Sequence, residues 1–131
     1  MTFRYLFICV LSLVLLLNID SVATAQAAGQ WKGSWISHSN GHNGKLQARI
    51  KQTSCNEYRA VFRGTFFKIV PFRYRAKLQV VERGPGYVRL SGTQRVGSSG
   101  NFGYEAIVSG DRFFATFHSK RDHGIWQMQR R

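Results

Sequence analysis

From residue 26 onward the chain alternates apolar and polar side chains through eight short segments, broken by glycine- and asparagine-rich turns. In Lys45-Leu46-Gln47-Ala48-Arg49-Ile50-Lys51 every odd position is polar, and in Phe72-Arg73-Tyr74-Arg75-Ala76-Lys77-Leu78 the cations again share one face. Residues two apart lie on the same side of a strand, so this period describes antiparallel strands with one buried and one wet face. The predicted strands are Gln30–His38, Gly44–Thr53, Glu57–Phe66, Phe72–Glu82, Gly86–Val96, Asn101–Val108, Arg112–Ser119 and Gly124–Arg130. Between them stand turn formers such as Asn40-Gly41, Cys55-Asn56, Gly84-Pro85-Gly86, Gly97-Ser98-Ser99-Gly100, Gly110-Asp111 and Asp122-His123-Gly124. Glycine and asparagine supply the positive φ angles that tight hairpins need. The expectation is an all-β domain, a single antiparallel eight-stranded up-and-down barrel spanning residues 26–131.

The first 25 residues read differently. Arg4 precedes an apolar run from Leu6 to Leu17, and Ala23-Thr24-Ala25 offers small residues for cleavage. The run of about a dozen residues is shorter than the roughly 20 a spanning helix needs. Residues 1–25 are therefore predicted to be a cleaved signal peptide, with cleavage after Ala25 or Ala27 and a retained anchor as the competing reading. The protein is expected to be exported, periplasmic or secreted, with no transmembrane span in the mature chain. Cys55 is then the sole cysteine of the domain, so packing rather than a disulfide must hold it.

The charge is +13, and residues 26–131 carry all of it, with 18 basic against 5 acidic groups. Such an excess favours polyanions: acidic polysaccharide, lipid head groups, an anionic envelope surface or nucleic acid. Lys45, Arg49, Lys51, Arg59, Arg63, Arg73, Arg75 and Lys77 fall on the outward face of three consecutive strands and should form one cationic patch, which Arg89 extends. Arginine suits bidentate contact with phosphate, sulfate or carboxylate. The aromatics, among them Tyr58, Phe62, Phe72, Tyr74, Phe102, Tyr104 and Phe117, take the opposite face. Alternation to opposite faces, together with export, argues against a nucleic-acid platform.

Gly33-Ser34-Trp35 resembles the Gly-x-Trp signature of the calycin superfamily, which includes lipocalins, fatty-acid-binding proteins and avidins. The last strand, Trp126-Gln127-Met128-Gln129-Arg130, is similar to that superfamily's closing strand. The resemblance implies a barrel whose one end is plugged by Trp35 and covered by Arg130 through a cation–π contact, and a habit of holding small ligands. The lipocalin Thr-Asp motif is absent, Gly110-Asp111 standing in its place, and biotin binding does not carry over.

In a closed meander the loops after strands one, three, five and seven share one end, so His38, His42, His118 and His123 should gather at one rim. That rim is read as the ligand mouth. Imidazoles also suit metal ions, which leaves a metal-binding enzyme at the His rim as an alternative. No metal site, cofactor or catalytic set is assigned, since no nucleophile elbow, phosphate loop or His-Glu-x-x-His is present. The interior is either filled by its aromatics or holds one small apolar cavity. The expected function is thus a non-enzymatic, exported, basic barrel binding a small apolar or anionic ligand. The alternative partner is a polyanionic envelope surface held by the Arg/Lys patch.

Overall fold

The computed structural model describes residues 26–95 and 100–131. The predicted signal peptide and part of the Gly97–Gly100 turn, with Val96, lie outside the described residues. Eight strands follow one another: β1 (Gly29–Ser37), β2 (Asn43–Ser54), β3 (Glu57–Phe66), β4 (Val70–Gly84), β5 (Tyr87–Arg95), β6 (Asn101–Ser109), β7 (Arg112–His118) and β8 (His123–Arg130). Each pairs antiparallel with its neighbour, and β1 pairs with β8, closing the barrel. Among the described residues no helix is long and apolar enough to cross a membrane.

Alternation decides which side chains face inward. Leu46, Ala48 and Ile50 of β2, Tyr58, Ala60 and Phe62 of β3, and Val88 and Leu90 of β5 are buried, while the residues between them are more exposed. Small and large residues meet across the ladders, so bulky rings find room. Ala48 stands between Trp31 and Phe62, and Ala115 faces Trp126. Such interleaving of small and large residues is how side chains fit inside a narrow barrel. Register shifts between Gln52 and Ser54 and between Val80 and Glu82 bend β2 and β4. An extra residue in one strand sharpens the local twist that closure requires.

The two ends differ. The lower end carries the turns after β2, β4 and β6 together with both chain ends of the described domain. There Trp31 is fully buried, donates from Nε1 to the Ala27 carbonyl at 3.1 Å and packs against Phe113, ring centroids 5.8 Å apart. The Arg130 guanidinium lies over Trp31, 4.4 Å from the ring centroid. It donates to the carbonyls of Ala28 (2.5 Å), Gln26 (2.7 Å) and Gly110 (3.3 Å) and pairs with Asp111 at 3.6 Å. This end is latched.

The expected partnership of Arg130 with Trp35 is corrected here. Trp35 sits opposite Trp126, four residues further along β1, and its Nε1 donates to the Thr65 carbonyl at 3.3 Å near the upper end. The chain carries two Gly-x-Trp triplets, Gly29-Gln30-Trp31 and Gly33-Ser34-Trp35. Both tryptophans have inward parity, and the β1–β8 register sets Trp31 directly opposite Arg130.

Candidate functional site

The upper end carries the loops after β1, β3, β5 and β7. Its inner wall is aromatic. Trp126, 5% exposed, is the hub, with ring centroids 4.7 Å from Tyr104, 4.8 Å from Phe62, 5.8 Å from Phe117 and 6.3 Å from Tyr74. Around it Phe72, Tyr74 and Phe102 have inward parity but stay only partly buried. Phe66, Phe72 and Trp35 form a second ring cluster against the β3–β4 hairpin. Two glycines make the close packing possible. A side chain at Gly64 would strike the Phe72 ring, and one at Gly124 the Phe117 ring. Rings laid over strand glycines are a recurrent way to fill a barrel wall.

Two hydroxyls are set into this apolar wall. Tyr74 and Tyr104 stack with centroids 6.4 Å apart, their hydroxyls within hydrogen-bonding reach of each other. Burial pushes both phenols up, Tyr104 to about 12 and Tyr74 well above its usual value. Both therefore remain neutral hydrogen-bonding groups across the ordinary pH range. An apolar wall with a few fixed polar groups is the usual make-up of a small-ligand site.

The four histidines all stand at this end, but they do not line the wall. His38, His118 and His123 take the outward parity of their strands and are exposed. His38 and His123 lie with ring centroids 6.0 Å apart, and His118 faces His123 in the β7–β8 register. Ser39 meets His123 Nδ1 at 2.9 Å, and the Ser37 hydroxyl donates to Asp122, bonds that tie the first loop to the last. His42 leans on Phe67 at 4.8 Å. Among the described residues no three His, Cys, Asp or Glu side chains converge on a point fit for a metal ion. The inward-facing side chains left partly buried toward this end are Phe72, Tyr74 and Phe102, and the histidines expected to line a mouth stand on the outside of the rim. Parity counted from Trp35 would have turned His38 outward. Height along the barrel axis, which singles out the three rings, has no counterpart in a period-two pattern.

The cations of β2, β3 and β4 share the outer wall. Arg63 stands directly opposite Arg73, and Lys51, Arg59 and Lys77 form one cross-strand row. Glu57 neutralises part of that row, 3.5 Å from Lys77 and 3.8 Å from Arg59. The Thr53 hydroxyl bond, with Lys77 and Arg59, holds its carboxyl below the usual range. Arg89 is likewise paired, 3.4 Å from Glu82. Lys45, Arg49, Lys51, Arg63, Arg73 and Arg75 have no carboxylate within ion-pair distance among the described residues. Arg49, Arg63, Arg73 and Arg131 line a shallow groove of about 200 Å³ on this wall. Like charges set opposite each other destabilise a ladder, so this arrangement works against the fold.

The β3–β4 hairpin tip was not expected from turn residues. Phe67 and Lys68 occupy the turn with φ of 52° and 67°, and the Ile69 N–H donates to the Phe66 carbonyl at 3.2 Å. Two consecutive left-handed residues make a turn that normally asks for Asn-Gly. A bulky side chain in that region costs about 1–2 kcal/mol.

No family model and no curated protein matches the chain. Solved structures do match it along nearly their whole length. The structure of EF1p2_mFAP2b bound to DFHBI has a TM-score of 0.60 at 17% identity, covering 83% of this chain and 97% of that one. A fluorescence-activating β-barrel designed de novo has a TM-score of 0.59 at 20% identity, with the same coverage. The chain shares with them the fold of a closed, eight-stranded antiparallel barrel. At these identities the likeness is one of fold.

Proposed function

We propose that this calycin-like barrel is a non-enzymatic small-ligand-binding protein that takes a flat, largely apolar molecule at its aromatic upper end. The observation carrying this reading is the contrast between the ends. Arg130 and Trp31 latch the lower one, whereas inward-pointing Phe72, Tyr74 and Phe102 stay partly exposed at the upper. The Tyr74–Tyr104 hydroxyl pair would orient a polar group on the ligand. The fold likeness to a barrel described as bound to DFHBI and to a fluorescence-activating one supports a binding role. Export from the cell, with residues 1–25 as the removed signal, belongs to the same reading.

Native mass spectrometry of the protein purified gently from its own source tests this. The expected result is a retained small-molecule mass that also quenches Trp126 emission and is lost in Phe102→Ser. An apo mass, with no emission change across a panel of aromatic dyes including DFHBI, would refute it.

The unpaired arginines of the outer wall favour a second reading, docking on a polyanionic surface. It is tested by retention on a heparin-like matrix, and by loss of that retention when Arg73, Arg75 and Lys77 are replaced by Ser.

A further inference from the structure

Four of the seven exposed large hydrophobic residues among the described positions fall within one hairpin tip: Phe66 (40% exposed), Phe67 (65%), Ile69 (82%) and Val70 (48%). The other three lie apart from it, Ile36 on β1, Phe114 on β7 and Val81 toward the far end of β4. Within the tip stands Lys68, and below it on the outer wall comes the Arg63–Arg73 pair, three ladder rungs from Phe66–Val70. At about 3.3 Å per residue that row lies about 10 Å behind the tip. Lys45 borders the same stretch, its carbonyl against Gly64.

We propose that this tip is a membrane-docking wedge, inserting Phe67, Ile69 and their neighbours into an anionic phospholipid bilayer while Lys45, Lys68, Arg63 and Arg73 engage the head groups. The spacing suits the partner. Apolar side chains reach the head-group and acyl boundary, about 5–10 Å deep in interfacial anchors, and the cations stay in the layer where anionic lipid attracts them. A long cationic stem can lie along apolar surface with its charge in water, as Lys68 would between Phe67 and Ile69.

Other partners fit less well. A polysaccharide could lay a sugar face on Phe66 or Phe67 but offers little to the aliphatic Ile69, the most exposed of the four, or to Val70. A convex tip of five residues is far smaller than the roughly 800 Å² per partner of a stable protein interface. The backbone points the same way. The turn holds Phe and Lys in left-handed conformations that Asn-Gly would adopt without strain. Strain retained at an exposed tip marks those side chains as wanted for something other than the fold. The proposal does not depend on the barrel holding a ligand.

The test uses the 131-residue chain with an environment-sensitive reporter at the tip, Phe67→Trp, and Ile69→Trp as an independent second. Both positions are exposed, so the fold tolerates the change, and unsubstituted protein provides the blank. Vesicles of phosphatidylglycerol and phosphatidylcholine, with or without brominated acyl chains, are compared with pure phosphatidylcholine. The expected result is a blue-shifted reporter quenched by brominated chains on the anionic vesicles alone. Replacing Arg63 and Arg73 by Ser should then weaken reporter insertion by up to about thirtyfold, each lost head-group contact contributing about fivefold. Protein that co-floats with vesicles while the reporter stays unshifted and unquenched would overturn the proposal, since another part of the chain would then be responsible. Equal insertion into neutral vesicles would overturn the charge half. Heparin binding without any vesicle binding would assign the wall to a polysaccharide and leave the tip without this role.

Discussion

Replacing Arg130 by Ala should be among the most damaging single changes outside the aromatic core. Its guanidinium covers Trp31 and donates to three carbonyls contributed by the N-terminal turn and the β6–β7 turn. A desolvated cation–π contact contributes about 2 kcal/mol, and a partly exposed one less. Hydrogen bonds from a charged donor contribute about 1.5–3 kcal/mol each when their partners are buried. The side chain is 29% exposed, so water re-satisfies part of the stranded carbonyls, and the pair with the 84%-exposed Asp111 adds little. The net loss is then about 3 kcal/mol, a large share of the roughly 5–15 kcal/mol that holds a domain together. Arg130→Lys keeps the cation but cannot fork to several carbonyls, and should lose about half as much. Urea unfolding followed by tryptophan emission and circular dichroism gives these values, with Arg131→Ala as the neighbouring control. A double-mutant cycle locates the contact: Arg130→Ala should couple to Trp31→Phe by about 1 kcal/mol, and to Trp35→Phe by less than about 0.3 kcal/mol. A loss below about 1 kcal/mol for Arg130→Ala, or stronger coupling to Trp35, would refute the latch.

The latch also makes the start of the domain matter: a chain beginning at Ala28 lacks the Ala27 carbonyl that holds Trp31 and the Gln26 carbonyl that holds Arg130. It should melt roughly 10 °C below a chain beginning at Gln26, for about 2 kcal/mol lost, and equal melting points would show that the N-terminal turn adds nothing. Alkali should weaken the barrel through Tyr74 and Tyr104, whose folded-state values are raised above the ordinary 10. The folded state then keeps protons that the unfolded chain releases, so stability is full below about pH 10 and falls as pH rises through about 12, by about 2–3 kcal/mol for Tyr104. Urea midpoints across this range measure the loss, and tyrosinate absorbance that rises completely near pH 10 in the folded protein would contradict it.

Strand number, order and facing were legible because a period of two cannot be mistaken once four or five residues hold it, as in Lys45 to Lys51. The cationic wall followed from the same parity. What parity cannot supply is height. Trp31 and Trp35 both point inward, and only the β1–β8 register, a relation between residues about a hundred positions apart, tells which one meets Arg130. For the same reason Phe72, Tyr74 and Phe102 could not be told from core, although Tyr58 and Phe62 of like parity are fully buried. The Phe67-Lys68 turn was illegible for another cause. The residues that ordinarily announce left-handed backbone are absent there, and the surrounding ladder imposes the conformation instead.

The seam between β1 and β8 sets the order of events in folding. Seven of the eight strand pairings join neighbours in the chain, and each can form as a hairpin within microseconds. The eighth must bring together segments at opposite ends of the domain, the slow, high-contact-order step. Until residues 123–130 are available, β1 and β7 each keep an open edge able to pair with another chain. The nascent domain is therefore a curved open sheet, exposed to aggregation for the whole of its synthesis, and it becomes a closed surface only after its last strand is made.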